Sequence, residues 1–216
     1  MQPLLITILA VATLSLIVMG ARQWRRQGRL VGAAHDIGLK FSAEDIFDVK
    51  QRYAGFELIQ CGHSACADNV IFGRMRDWSL RAFDYSFEAG HGPRRQIRRF
   101  SVIAADAHLP LPDCLIWRGD DSCPASLPAA AAVTIAGQWR ATGDLVAAGQ
   151  LARHWSGSDG QAIGIQAQEG RLLFSTPGQL DGQAMAGRLR AVVDCLEKLS
   201  LENPRAGIPQ NPPTDH

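Results

Sequence analysis

Between Leu4 and Ala21 the chain carries no charged residue, and Arg22, Arg25, Arg26 and Arg29 follow at once. As a helix those eighteen residues rise about 27 Å, close to the roughly 30 Å hydrocarbon thickness of a bilayer. A signal peptide would place its charge before a shorter apolar run. Here the positive charge lies wholly on the C-terminal side, which predicts a retained anchor, N-terminus out, with the rest of the chain in the cytoplasm behind the inner (plasma) membrane. Trp24 suits the headgroup level. Residues 1–30 are therefore read as a transmembrane anchor and basic juxtamembrane segment.

The whole chain has a formal charge of +1, and residues 1–30 hold four Arg and no acid, so the remainder carries −3. A body that is not basic argues against a nucleic-acid partner. The five cysteines, Cys61, Cys66, Cys114, Cys123 and Cys195, are an odd number and do not close into a disulfide framework. Free thiols fit a reducing cytoplasm. Residues 31–202 are enough for one domain of ordinary size with its own core. From Asn203 to His216, four prolines in fourteen residues predict a disordered tail.

Within the body, Ser42 with Asp45 has capping-box spacing and predicts a helix over 43–53. The period then changes to two. Val70–Met75, Trp78–Glu88 and Ile97–Ala104 read as an antiparallel meander, with Arg81, Phe83, Tyr85 and Phe87 on one face of the middle strand and Leu80, Ala82, Asp84 and Ser86 on the other. The prolines of "LPLPDCLIW" point to an extended edge segment. Asp120–Pro128 reads as a loop and Val133–Ala141 as a further strand. Asp144 caps a helix ending near Trp155, and Ser156–Gly160 is a turn. A hairpin turns at Glu169-Gly170. A long helix from about Leu180 to Leu201 buries Met185, Leu189, Val192, Val193, Leu196 and Leu199 and leaves Arg188 outside the stripe. The expected architecture is α+β: a curved antiparallel sheet with helices on one face, preceded by one transmembrane helix.

The "NVIFG" segment with Asn69 and Gly73, "FDY" (Phe83, Asp84, Tyr85), the "EAGHGPRR" loop and "LPLPDCLIW" resemble elements of a group of uncharacterised bacterial single-pass membrane proteins. Those proteins have an N-terminal helix followed by a domain of strands and helices. The resemblance implies the architecture and brings no active site with it.

Cys61, His63 and Cys66 are the candidates for a metal or thiol site. Their spacing departs from the usual zinc knuckles, so a plain loop is the preferred reading. Asp120-Asp121 is read as a solvated turn. No Gly-x-Ser-x-Gly elbow or phosphate-binding glycine loop occurs, no cofactor is expected, and enzymatic chemistry is disfavoured. Arg94, Arg95, Arg98 and Arg99 form a second basic cluster. Together with Arg22, Arg25, Arg26 and Arg29 they are candidates for an anionic membrane surface. The expected role is a membrane-anchored binding domain, for a protein partner or a lipid surface. The alternatives are a ligand-binding domain with a cavity under its last helix, and a metal- or thiol-dependent enzyme at Cys61, His63 and Cys66.

Overall fold

A computed structural model describes residues 2–118, 132–135, 139–155 and 162–203. The first helix, α1 (Gln2–Asp36), carries the apolar stretch and runs on past the arginines without a break. It is long and apolar enough to cross a membrane. Its exposed Ile8, Leu9, Leu16 and Met19 lie along that stretch. Its last two turns behave differently, because Leu30 and Ala34 are buried in the core of the body.

The strands are β1 (Lys40–Glu44), β2 (His63–Met75), β3 (Trp78–Ala89), β4 (Gln96–Ala105), β5 (Cys114–Arg118), β6 (Val133–Ile135), β7 (Trp139–Gly143), β8 (Ile163–Gln168) and β9 (Arg171–Pro177). They form one open antiparallel sheet in the order β1-β2-β3-β4-β9-β8-β5-β7-β6. The expected meander is β2-β3-β4. The β8–β9 hairpin turns where the sequence places it, with Glu169 at φ 48° and Gly170 at φ 72°. Two consecutive positive φ values are the backbone of a type I′ turn, whose twist matches that of the strands it joins.

Helices α4 (Leu145–His154) and α5 (Gly182–Glu202) pack on one face together with the end of α1. Asp144 caps α4 by accepting from the amides of Val146 and Ala147 at 3.0 and 2.8 Å. The α5 stripe is buried as its period requires, and Cys195 joins it. Two one-turn helices, α2 (Val49–Arg52) and α3 (Glu57–Gln60), lie over the opposite face against Phe83, Tyr85, Phe87 and Phe100. The Tyr85 hydroxyl donates to the Ile59 carbonyl at 2.9 Å, and the Glu57 amide donates to Gln166 at 2.9 Å. Those bonds fasten the short helices to the sheet.

Three local readings change. Lys40–Glu44 is an edge strand where a helix over 43–53 was expected, and only Val49–Arg52 is helical. Asp45 accepts from the amides of Phe47 and Val49 and so ties down the loop that leads into the shorter helix. The Cys114–Arg118 strand is internal, between β8 and β7, because Pro110 and Pro112 precede it and take no place in the ladder. The single strand expected over Val133–Ala141 is two, paired through Ile135 and Trp139. The Asp120–Pro128 loop with Asp120-Asp121, Cys123, the Ser156–Gly160 turn and the tail from residue 204 lie outside the described residues.

Candidate functional site

The groups that join α1 to the body converge on Asp84. Alternation along β3 sends Asp84 to the same face as Leu80 and Ala82, under α1 and the start of α5, and it is 5% exposed. A carboxylate there is costly unless its oxygens are paired. Both are. Asp84 Oδ2 accepts from Arg26 of α1 and, at 2.9 Å, from Asn69 Nδ2. Asp84 Oδ1 accepts from the Leu180 amide at 2.6 Å. Arg26 also donates to the Leu180 carbonyl at 3.1 Å. Asn69 is buried on β2 and faces Gln27 of α1, whose amide donates to it at 3.4 Å.

Close packing reinforces the polar junction. Gly182, the first residue of α5, sits so near α1 that a Cβ there would lie 2.9 Å from the Arg29 carbonyl oxygen. Any larger residue would push the two helices apart. Next to Arg29, Leu30 is fully buried in the core cluster that contains Leu189 and Val193. Helix α1 is therefore seated in the body by an ion pair, hydrogen bonds, a glycine crossing and two buried side chains.

A small polar recess of about 140 Å³ opens beside this junction, lined by Asp68, Asp84, Tyr85, Ser86, Arg99 and Gln179. Asp68 is the register partner of Asp84. Burial, and then the neighbouring Asp84 charge, raise its carboxyl above the ordinary value, with Arg26 opposing them. Arg188 lies outside the buried α5 stripe, as expected, and reaches back to the sheet to donate to Ser101 Oγ at 2.7 Å.

The opposite face holds a second charged knot. Asp106 takes Arg81 and Arg52, the latter at 2.9 Å, and Arg81 donates to the Tyr53 hydroxyl at 3.2 Å. Burial alone would raise the Asp106 carboxyl. Hydrogen bonds and charge from Arg81, and then from Arg52, outweigh burial and hold it below the usual carboxylate value.

The residues singled out from sequence are distributed as follows. Arg22, Arg25 and Arg29 are exposed on α1, and Arg26 is the one turned inward. Arg94 lies in a short turn of 3-10 helix (Gly92–Arg94), and Arg95 pairs with Glu88. Arg98 lies over the Phe100 ring at 5.5 Å, and Arg99 lines the recess. The Cys61 thiol is buried and donates to the Glu57 carbonyl at 3.1 Å, whereas His63 faces Glu88 and the His91 ring. Cys66 is exposed on β2. Among the described residues no group of three His, Cys, Asp or Glu side chains is placed to hold a metal ion.

No family model matches the chain, and no curated protein does. Its fold is similar to that in the crystal structure of the mycobacterial trehalose monomycolate transport factor A, TtfA. The TM-score is 0.54 at 15% identity, over 85% of this chain and 98% of that one. At that identity the likeness shows the shared α+β fold.

Proposed function

We propose that the chain is a single-pass protein of a bacterial inner membrane whose body lies on the cytoplasmic side and works by binding. The observation that carries this reading is the unbroken course of α1 from an exposed apolar stretch into the buried Arg26–Asp84 junction. The contacts of α1 with the body begin at Arg26, just beyond the apolar stretch, so that stretch leaves the folded body directly, as a retained anchor would. The one-sided arginines favour the cytoplasmic side. The fold likeness to a transport factor is in keeping with an accessory protein at a membrane, rather than with an enzyme.

The side-chain arrangement favours binding by outer surfaces over a ligand cavity beneath α5. Met185, Leu189, Val192, Val193, Cys195, Leu196 and Leu199 are all buried in one cluster with Leu80, Ile103 and Phe174. That interface is occupied by the protein's own side chains, where a ligand site would need space. Cys61, His63 and Cys66 point to different partners, which weighs against a shared catalytic centre. Reporter fusions at the C-terminus, together with membrane fractionation, test the proposal. Cytoplasmic reporter activity in the membrane fraction is the expected result, and an exported reporter would contradict it.

A further inference from the structure

Resting on the anchor reading, we infer that the β3–β4 hairpin end of the sheet is the face that sits on the membrane entered by α1, with anionic lipid headgroups as its partner. Two contacts fix how the helix lies on the sheet. Just past its C-terminal end, Leu39 abuts Gly73, whose register partner is Leu80. Farther toward its N-terminus, Arg26 meets Asp84. Moving up α1 toward the bilayer is therefore moving along β3 toward Ala89 and the hairpin turn.

The lengths bring the turn to the bilayer surface. From Arg26 the helix climbs about 7.5 Å to Ala21, where the uncharged stretch ends. From Asp84 to Ala89 the strand extends about 16 Å, and still gains about 11 Å if inclined at 45° to the helix. The turn beyond Ala89 thus reaches the level at which α1 enters the bilayer.

The residues carried there suit that position. His91, Arg94, Arg95 and Arg99 are exposed, and Arg98 is half-buried. Ile97 is 60% exposed and Trp24 78%. Glu88 is the acid nearest the hairpin turn and is paired by Arg95. Beside them on the helix stand exposed Arg22, Arg25 and Arg29. Excluding residues 1–30, the chain carries −3, so positive charge is gathered at this end against the overall balance. Lys and Arg side chains near an anionic leaflet are attracted to it.

The test is amide hydrogen exchange on the full chain in lipid nanodiscs, made of phosphatidylcholine alone or with phosphatidylglycerol. Residues 90–97 are expected to exchange about tenfold more slowly in the anionic discs, as multi-arginine attraction requires. The far-end turns at Arg76-Asp77 and Glu169-Gly170 serve as controls and are expected to stay unchanged. The R94S/R95S/R98S variant is expected to lose the slowing while keeping the core protection of β4 and α5. Equal exchange at 90–97 in both discs, with residues 4–21 shielded by lipid, would overturn the docked pose and leave the anchor standing. A chain that fails to stay with the discs would overturn both.

Discussion

Arg26 of the long N-terminal helix and Asp84 of the third strand, 58 residues apart in the chain, form an ion pair whose side chains are only 15% and 6% exposed. Removing one member of such a pair leaves the other charge buried and alone, which costs about 3–5 kcal/mol. Arg26→Ala and Asp84→Ala are each expected to lower the melting temperature strongly. The double variant is expected to fall well short of the sum, because the two act as one unit. Additive losses in a double-mutant cycle would show that the pair is not coupled.

The junction also decides where the body begins. A chain starting at residue 22 keeps Arg26, Leu30 and Ala34 and is expected to melt cooperatively in solution. A chain starting at residue 31 loses the ion pair and the fully buried Leu30. It is expected to lose several kcal/mol of a total near 5–15 kcal/mol. Denaturant unfolding of the two truncations, compared side by side, checks this, and equal midpoints would contradict it.

Asp106 gives a pH-dependent signature. Its folded-state value is held below the ordinary one by Arg81 and Arg52 against burial. A depressed carboxyl contributes stability that is present above the unfolded value of about 3.9 and is lost as pH falls through the folded one. Asp106→Asn is therefore expected to destabilise the protein by about 3 kcal/mol at neutral pH. The gap between variant and wild type should close in acid below about pH 3.9. A gap that persists unchanged into acid would assign the loss to packing instead.

On α5, Leu189→Asp and Val193→Asp are expected to abolish folding, since both are buried in the core cluster and an unpaired charge there costs several kcal/mol. Arg188 is the informative neighbour. Because it donates to the buried Ser101 hydroxyl, Arg188→Asp is expected to cost about 1.5–3 kcal/mol rather than nothing. Thermal melts rank the three, and an unchanged Arg188→Asp protein would return that residue to solvent.

Much of this fold is legible from periodicity, because the period reports which side of an element is buried. The β3 alternation, the Glu169-Gly170 turn, the Asp144 cap and the α5 stripe each depend on neighbours close in sequence. What escaped depends on distant partners. The edge strand Lys40–Glu44 has a burial pattern of exposed and half-exposed residues and exists through its pairing with β2. Ser42 and Asp45 mimic a helix start on their own. Asp84 shares its side of β3 with Leu80 and Ala82 but also with Ser86, so from sequence it reads as part of a solvated face. Its partner stayed hidden because Arg26 reads as one of four juxtamembrane arginines, and nothing local shows that one of them turns inward. The order of β5 within the sheet was likewise unreadable, because the prolines before it signal an edge and only long-range pairing reveals the interior.

The central claim is that the anchor and the body form one rigid unit, with the sheet held at a fixed orientation to the bilayer. Electron–electron distance measurement between spin labels at Arg22 on α1 and Lys198 on α5, in the full chain in lipid nanodiscs with Cys66 and Cys123 replaced by Ser, tests it most directly. The account predicts one narrow distance distribution that broadens when Asp84→Ala is introduced. A broad distribution in the otherwise native chain, unchanged by Asp84→Ala, would contradict it.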